Sequence, residues 1–499
     1  MSLHESGNLQ EAGSLYAQYL QDNPQDLQAS RLFAALMREA GDFDSSLALL
    51  FALTESHPAH APGFNELAIT CMAAGRLDDA EDALTRALEL EADNADALIN
   101  LGALLQFRGH ASAAADCYRT ALEQTPEDID VQCNLAKALA DAGRAEEALT
   151  IVEAALDASE QHPYVASIKA TILADNGNHA DAATLLEQAA TAMPDDDTTL
   201  INLGYSYQHL KRFEDACATW RKAVTVNPRN ARAVSDLAYA LIQRGEADTA
   251  VKLCDGFLLR HPGEPMVVAA YSYACIAAGV DSKTLFDFDA LLTTHTVEPP
   301  AGFASLENFN AALKDALISD DSLTGNPQNK STYGGSQTGE LRADSNEALA
   351  AFAGLIKQHV AVVAEHWQKT LPNHPALARQ CDDYQLRAWG TVLESDGHQA
   401  PHIHPLSWVS GVYYAAVPEE INGDQPAGWI EFGAPPERHA IDSILASAAN
   451  YTTHRLQPAE GLLVLFPSYL HHRTLPFSAE TQRISIAFDA VPFDAASLF

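Results

Sequence analysis

A period of 34 residues runs through the first half of the 499-residue chain. Glycines recur at this step, with Lys211 in the one place where glycine is missing: Gly7, Gly41, Gly75, Gly109, Gly143, Gly177, Gly245 and Gly279. A fixed period of this length is the signature of a repeat architecture, in which each unit buries its apolar face only against its neighbours. The sequence therefore predicts a stack of similar units up to about residue 290.

Small residues and prolines keep the same step. Alanine occurs five positions after most of the glycines, and a second small position includes Gly102 and Gly204. Two helices approach closely only where such side chains are small. Prolines follow the second helix of six copies, where they end one helix and open the next: Pro24, Pro58, Pro126, Pro194, Pro228 and Pro262. Each unit is therefore expected to be a pair of helices.

These features resemble the tetratricopeptide repeat, whose period is 34 residues. The resemblance covers about residues 1–290 and implies an all-α superhelix with a concave groove that binds a protein or peptide. It would place Asn100, Asn134 and Asn202 in that groove. Their amides could bind an extended peptide there, or they could be solvated or locally bonded.

The organisation changes after Gly279. The adjacent Pro299 and Pro300 put the domain boundary near residue 295, and a segment rich in glycine, serine, threonine and asparagine follows. An amphipathic helix comes next, and short strands rich in aromatic and β-branched residues begin at Tyr384. We expect an α+β multidomain chain with a repeat solenoid over 1–295, a linker and glycine-rich loop over 296–345, and a helix with an antiparallel jelly roll over 346–499.

Histidines in the strand region give the strongest chemical signal. In His402-Ile403-His404 the two-residue period of a strand sends both imidazoles to one face, where they can share one metal ion. Further along, the segment GLLVLFPSYLHHRTLPF reads as a buried strand that ends in a second pair, His471 and His472. The pattern predicts a metal site between these two segments.

An arginine on the next strand extends this constellation. Arg483 opens the final strand and shares a face with Ser485, opposite Ile484, Ile486 and Phe488. A guanidinium can hold a carboxylate through two parallel hydrogen bonds. A carboxylate-bearing molecule bound beside the metal is therefore expected.

The segments HIHPLSWVSGVYY, LFPSYLHHRTLPF and QRISIAF resemble the iron(II)- and 2-oxoglutarate-dependent oxygenases. The resemblance covers about residues 325–495 and implies a double-stranded β-helix that binds Fe(II) with 2-oxoglutarate as co-substrate. It implies His402 as the first metal ligand, His472 as the distal ligand, and Arg483, assisted by Ser485, as the clamp for 2-oxoglutarate. Together with the repeats, it implies a dioxygenase that hydroxylates a protein or peptide held by the solenoid.

One position departs from this family pattern. His404 stands where the usual triad has aspartate or glutamate, and the change leaves the site one unit more positive. His404 is the preferred third ligand, while Glu394, Asp396 or a water are alternatives. His471 competes with His472 as distal ligand. The departure also motivates a rival interpretation, a non-catalytic interaction scaffold with a degenerate metal-binding barrel, and a third is a cupin-like metal enzyme without a co-substrate.

Other histidines and aromatic residues of the strand region are interpreted more simply. Core packing is favoured over cofactor contact for the aromatic residues Tyr384, Trp389, Tyr413 and Tyr414. A structural or solvated position is favoured for His398, His439 and His454. Arg387 either lines the substrate site or is exposed on its strand.

The net charge limits the classes of molecule that are expected to bind this protein. The 67 acidic and 30 basic residues give a formal charge of -37, which repels nucleic acid and anionic membranes. Such a charge suits either solubility or the attraction of a basic protein.

No run approaches the apolar length that spans a bilayer, and the polar, acidic start is unlike a signal peptide. The seven cysteines are irregularly spaced, as in a reducing compartment. We expect a cytoplasmic protein with no membrane partner; the sequence does not indicate an oligomeric state.

Overall fold

The fold was analysed in a computed structural model that describes residues 4, 8–327, 330–423 and 425–493. Helices fill the first half, and they alternate between two sets whose members each begin 34 residues after the preceding one. One helix of each pair belongs to the first set: α2 (Leu27–Glu39), α4 (Ala61–Ala73), α6 (Ala95–Phe107), α8 (Ile129–Asp141), α10 (Pro163–Asp175), α12 (Asp197–His209), α14 (Ala231–Gln243) and α16 (Pro265–Ala278). The intervening helices are α1 (Leu9–Asp22), α3 (Phe43–Ser56), α5 (Leu77–Leu90), α7 (Ala111–Gln124), α9 (Ala145–Ala158), α11 (His179–Ala192), α13 (Phe213–Val226) and α15 (Ala247–Leu258).

The repeated residues have the backbone and packing that the pattern predicts. The turn glycines from Gly41 to Gly279 have φ between 69° and 82°, and Lys211 adopts φ 59° in its place. Gly7 lies outside the described residues. At the second small position, a Cβ on Gly204 would lie 2.4 Å from Nε1 of Trp220, so only glycine allows helices α12 and α13 to approach this closely.

The chain divides into two compact units, one running to Ala138 and the other from Leu139 to Pro492. The second unit contains the later repeats together with all the strands. The domain limits expected from the sequence do not coincide with this division and stay a prediction.

After α16 the chain mixes short helices with strands. Its helices are α17 (Phe288–Leu291), α18 (Leu306–Ile318), α19 (Glu347–Thr370) and α20 (Asp442–Ala446), with 3-10 turns at Lys283–Phe286, Pro375–Arg379, Glu419–Asn422 and Glu437–His439. Its strands are β1 (Thr293–Thr296), β2 (Thr324–Gly325), β3 (Thr332–Gln337), β4 (Tyr384–His402), β5 (Val409–Ala416), β6 (Ile430–Phe432), β7 (His454–Leu456), β8 (Leu462–Pro467), β9 (His472–Thr474) and β10 (Arg483–Pro492). The segment 296–345, expected as linker and loop, thus contains α18, β2 and β3; its residues Gln328 and Asn329 lie outside the described part.

The strands form one antiparallel sheet with the order β1-β8-β5-β10-β4-β9-β6-β7, and β3 adds to β4 and β2 to β3. Neighbours in this order are mostly distant in the chain, as in a jelly roll. Strand β4 has 19 residues, so it is longer than the short strands expected from Tyr384 onward, and it pairs with strands in both halves of the sheet. Its first part pairs with β10, and its last residues pair with β9, where His402 faces His472. The predicted class, helical repeats followed by an antiparallel jelly roll with flanking helices, is confirmed.

Helices cover one face of this sheet. Ile484, Ile486 and Phe488 of β10 are buried in one core with Phe352 and Trp367 of α19. By length and composition α19 could cross a membrane, contrary to the expectation that no segment would. Its buried face instead contributes to the core of the domain, as in a core helix of a soluble protein.

The other face of the sheet shares a core with the repeats. Tyr414 and Phe466 of the sheet are buried in one cluster with Tyr239, Tyr273 and Val268 of helices α14 and α16. The last repeats and the jelly roll therefore bury apolar surface against each other and are stabilised together.

Candidate metal centre

Three histidines converge at the end of β4. His402 is the last residue of β4, His404 follows it, and His472 opens β9. One ring nitrogen from each can be chosen so that all three lie within 4.8 Å of one another. The ring centroids of His402 and His472 are 4.3 Å apart, and His404 lies 5.3 Å and 5.0 Å from them. The structure thus brings together the three residues predicted as ligands.

Each of these imidazoles donates a hydrogen bond from Nδ1. His402 donates to the carbonyl of Ala400 at 2.8 Å, and His472 donates to the carbonyl of Leu470 at 3.0 Å. His404 donates to Oδ1 of Asp489 at 2.6 Å. A neutral imidazole has a single N–H, so this pattern leaves the Nε2 lone pair of every ring available to a metal.

Asp489 is a residue that sequence reasoning missed. It lies on β10 on the same face as Arg483 and Ser485, and its carboxylate also accepts a hydrogen bond from Ser410 at 2.6 Å. The period-two spacing to Arg483 was visible in the sequence, but nothing there indicated its pairing with His404. Asp489 brings a negative charge to a ligand set that lacks one of its own.

Burial keeps the His402 and His472 imidazoles neutral. It lowers the pKa of His402 to about 3, and the neighbouring His404 lowers it further. Burial, together with His402 and His404, holds the pKa of His472 well below its ordinary value. Neutral imidazole is the form that binds a metal, so these two rings are ready to coordinate at neutral pH.

Aromatic rings surround the three histidines. The Phe466 ring lies 4.7 Å from that of His472, and the Phe432 ring lies 6.0 Å from it on the paired strand β6. Trp389 of β4 lies 5.3 Å from His404. Trp389 therefore borders the site rather than only packing the core, while Tyr413 is buried in the core as expected.

Arg483 is buried on the same face of the sheet. It is 1% exposed, its guanidinium carbon lies 4.8 Å from the centre of the Tyr414 ring, and its Nε and Nη1 have no hydrogen-bond partner among the described residues. Burial lowers the pKa of Arg483. Leaving these two buried nitrogens of a cation without hydrogen bonds is costly, so the guanidinium is suited to receive an anion.

Two hydroxyl side chains lie across from each other near Arg483. Ser485 is buried and pairs in register with Thr391 of β4, so both point to the face that carries Arg483. The Thr391 hydroxyl is buried without a partner in the described part of the chain. Thr391 was not singled out from the sequence, because a threonine within a strand is an ordinary residue there.

The alternatives left open by the sequence lie elsewhere. Glu394 and Asp396 are exposed, and neither belongs to the cluster of possible metal ligands found among the described residues. His471 packs against Tyr239 and Tyr273, at ring distances of 6.5 Å and 5.5 Å. The Nε of Arg387 donates to Glu340, so Arg387 is neither free nor simply exposed.

The asparagines expected in the repeat groove make local hydrogen bonds. The amide of Asn100 donates to Asn65 at 2.9 Å, and that of Asn202 donates to Thr171 at 3.1 Å. Each bond joins neighbouring repeats. Two of the three amides therefore already have a partner within the chain.

Comparison with known families identifies the domain that carries this site. A family model described as "Putative 2OG-Fe(II) oxygenase" matches residues 387–489, which include all three histidines, Arg483 and Asp489. Over these residues the C-terminal domain is similar to this oxygenase family. The oxygenase-family domain is preceded by matches to "Tetratricopeptide repeat" over 3–65 and 72–132 and to "Psidin, N-terminal TPR repeats region" over 137–253. The chain therefore joins tetratricopeptide repeats to an oxygenase-family domain.

Solved structures similar to this chain are repeat proteins. A tetratricopeptide repeat protein from Parabacteroides merdae is 16% identical, with 52% of this chain and 98% of that chain covered and a TM-score of 0.42. The Cut9–Hcn1 hetero-tetramer of the APC/C is 16% identical, with a TM-score of 0.40, and the match covers 53% of this chain and 52% of that chain. No curated protein matches the chain.

Proposed function

We propose that this protein is an iron(II)- and 2-oxoglutarate-dependent dioxygenase that hydroxylates a protein or peptide substrate recruited by its repeats. The proposal depends chiefly on one observation: the buried Arg483 guanidinium, whose Nε and Nη1 have no hydrogen-bond partner among the described residues, lies on the same strand face as the carboxylate that holds His404. A site with histidines alone would fit many metal proteins. Arg483 adds the requirement for an anionic co-substrate, which distinguishes this function from a cupin-like metal enzyme.

The residues present fit the metal and the co-substrate. Imidazole nitrogens suit Fe(II) and other first-row divalent metals, and the rings of His402, His404 and His472 are oriented by their Nδ1 hydrogen bonds. Arg483 would bind the distal carboxylate of 2-oxoglutarate, with the Ser485 and Thr391 hydroxyls beside it. A dicarboxylate would thus satisfy Nε and Nη1 of Arg483 and the hydroxyl of Thr391, which are buried without partners among the described residues.

When bound, iron with 2-oxoglutarate and dioxygen supplies the oxidising power to hydroxylate a C–H bond. The chain itself binds and orients the reacting groups, and it excludes water from the site. Asp489 holds the His404 ring in one tautomer, and Phe466, Phe432 and Trp389 place apolar surface around the histidines. Arg483 would hold one end of the co-substrate on the strand that also carries Asp489, the residue that orients His404.

A protein or peptide is the proposed substrate class because tetratricopeptide repeats precede the oxygenase-family domain and pack against its sheet. The formal charge of -37 favours a basic partner and disfavours nucleic acid. The alternative is an interaction scaffold without catalysis. A scaffold has no need of a buried arginine whose Nε and Nη1 find no hydrogen-bond partner in the described part of the chain, so Arg483 favours the enzyme.

The proposal is tested by binding of Fe(II) and 2-oxoglutarate to protein purified without oxygen, followed by succinate formation in air. We expect wild type to bind both and to form succinate slowly even without substrate. Arg483→Met should still bind Fe(II) but lose 2-oxoglutarate, whereas His472→Ala should lose Fe(II). Arg342→Met, which removes an arginine paired with Asp344, serves as the matched control and should behave as wild type. Wild type that binds metal but neither binds 2-oxoglutarate nor forms succinate would exclude the dioxygenase.

A further inference from the structure

Three tyrosines recur at the 34-residue step on the first helix of successive repeats. They are Tyr205 on α12, Tyr239 on α14 and Tyr273 on α16. Tyr239 and Tyr273 are buried in the core shared with the jelly roll, while Tyr205 is half-buried and its ring contacts those of His179 and His209. The tyrosine at this repeat position therefore has one environment on α12 and another on α14 and α16. The difference comes from the parts of the jelly roll that pack against it.

Tyr273 contacts the segment that carries the distal histidine and also the end of the neighbouring strand β6. Its hydroxyl donates to the carbonyl of Gly433 at 3.2 Å, and its ring lies 5.5 Å from that of His471. Gly433 in turn donates its N–H to the carbonyl of His471 at 2.8 Å. Gly433 directly follows β6, and His471 directly precedes His472 on β9. The Tyr451 hydroxyl donates to the same carbonyl at 3.2 Å, and β6 and β9 also pair through their backbones. Tyr273 thus reinforces the junction of β6 and β9 at the point where His472 enters the site.

Tyr239 fixes the same region through stacking. The His439 ring lies parallel to it, with centroids 3.9 Å apart and planes 12° apart, and the edge of His471 meets it at 6.5 Å. His439 is buried, and neither of its ring nitrogens has a hydrogen-bond partner among the described residues. Stacking and packing, rather than hydrogen bonds, therefore hold this histidine in place.

We propose that Tyr239 and Tyr273 are positioning residues for the distal metal ligand, so that the last two repeats are a structural part of the metal centre. His471 immediately precedes β9, and side chains alternate along this extended segment. His471 therefore faces the tyrosines while His472 faces His402 and His404. Holding the ring of His471 fixes the backbone from which His472 projects. The inference rests on the proposed function only in requiring that the three histidines bind a metal.

Binding of Co(II) to the full-length protein tests the inference without any substrate. Co(II) is chosen because its visible absorption bands report the geometry of its ligands. Tyr273→Phe removes only the hydroxyl, and Tyr239→Leu removes the stacking ring; we expect each to weaken Co(II) binding about tenfold and to alter the Co(II) spectrum. Tyr239→Phe keeps the ring and should match wild type. Tyr205→Phe and Tyr205→Leu, at the same repeat position but without these contacts, are the matched controls and should leave both readouts unchanged.

Thermal unfolding of the metal-free proteins separates positioning from general stability. The inference is overturned if Tyr273→Phe and Tyr239→Leu bind Co(II) as wild type does, or if Tyr205→Leu weakens binding equally. Should Tyr239→Leu fail to fold, the nearly isosteric Tyr273→Phe decides the matter alone. Wild type that binds no Co(II) would refute the proposed function and this inference together, whereas normal binding by wild type and both variants refutes only the inference.

Discussion

Asp489 Oδ1 lies 2.6 Å from Nδ1 of His404, although the two residues are 85 positions apart in the chain. If His404 stands in the place of the family's carboxylate ligand, as the resemblance implies, this contact brings a negative charge to the site through the imidazole. A carboxylate behind a metal-binding histidine fixes the ring orientation and makes the ring a stronger ligand. The site would thus combine three nitrogen ligands with an indirect carboxylate.

Asp489→Asn is expected to weaken metal binding about tenfold to a hundredfold, because asparagine keeps the shape but loses the charge. Calorimetric titration with Co(II) or Fe(II) measures the effect. Ser410→Ala removes one hydrogen bond to the same carboxylate and should give a smaller loss. Asp344→Asn removes an exposed carboxylate and is the control. Equal affinity in wild type and Asp489→Asn would show that the carboxylate does not act through His404.

His404→Ala is expected to lower metal affinity strongly, because it removes one of the three converging rings. Glu394→Gln and Asp396→Asn should leave it unchanged, since both carboxylates are exposed. Asparagine also tolerates the left-handed backbone at Asp396, where φ is 64°. The metal content of dialysed protein measures these effects. A loss of metal from Glu394→Gln, with His404→Ala retaining it, would assign the third ligand to the carboxylate.

Thr391→Val should weaken 2-oxoglutarate binding while leaving metal binding intact. Valine has nearly the shape of threonine but offers no hydroxyl to the co-substrate, and the loss of one hydrogen bond costs about 1 kcal/mol, or roughly fivefold in Kd. Titration of the metal-loaded protein with 2-oxoglutarate measures this loss. Thr324→Val, on the exposed strand β2, is the matched control. An unchanged Kd for Thr391→Val would place the co-substrate away from this hydroxyl.

Because of the buried His374, we expect the free energy of unfolding to depend on pH. Burial lowers its pKa to about 4, and the fold uses its neutral form: Nδ1 accepts the N–H of Ala376 at 3.2 Å, and Nε2 lies 3.4 Å from the Tyr469 hydroxyl. Below about pH 6.5 the unfolded chain takes up a proton at this residue while the folded chain does not. The free energy of unfolding should therefore fall as the pH is lowered from about 6.5 towards 4, by up to about 1.4 kcal/mol per pH unit.

Urea unfolding of wild type and His374→Gln at pH 7 and pH 5.5 measures this contribution. Glutamine takes up no proton, so the variant should lose less stability on acidification than wild type does. Taking the difference between the two proteins removes the effect of the other buried histidines, which both proteins share. Parallel pH profiles would mean that His374 is protonated in the folded state as readily as in the unfolded chain.

Much of this architecture could be predicted because the signals are local and periodic. The left-handed turn at Lys211 followed from its place in the 34-residue series, and the shared face of Arg483 and Ser485 followed from the period of a strand. His402 and His404 were expected together for the same reason. Of the two candidates for the distal ligand, only His472 lies in the cluster of three found among the described residues, and its role as a metal ligand stays a prediction.

The partners of these residues could not be predicted, because strand pairing and packing bring together segments that are remote in the chain. Asp489 reaches His404, and Thr391 lies opposite Ser485, only through the antiparallel register of β4 and β10. The tyrosines on α14 and α16 formed a visible series with Tyr205, yet nothing local indicated that two of them would hold His439 and His471. The sequence by itself determined the repeats, the strand faces and the types of ligand, because these follow from local periodicity. The tertiary structure alone decided which carboxylate, hydroxyl and aromatic rings support them, because those contacts depend on long-range pairing.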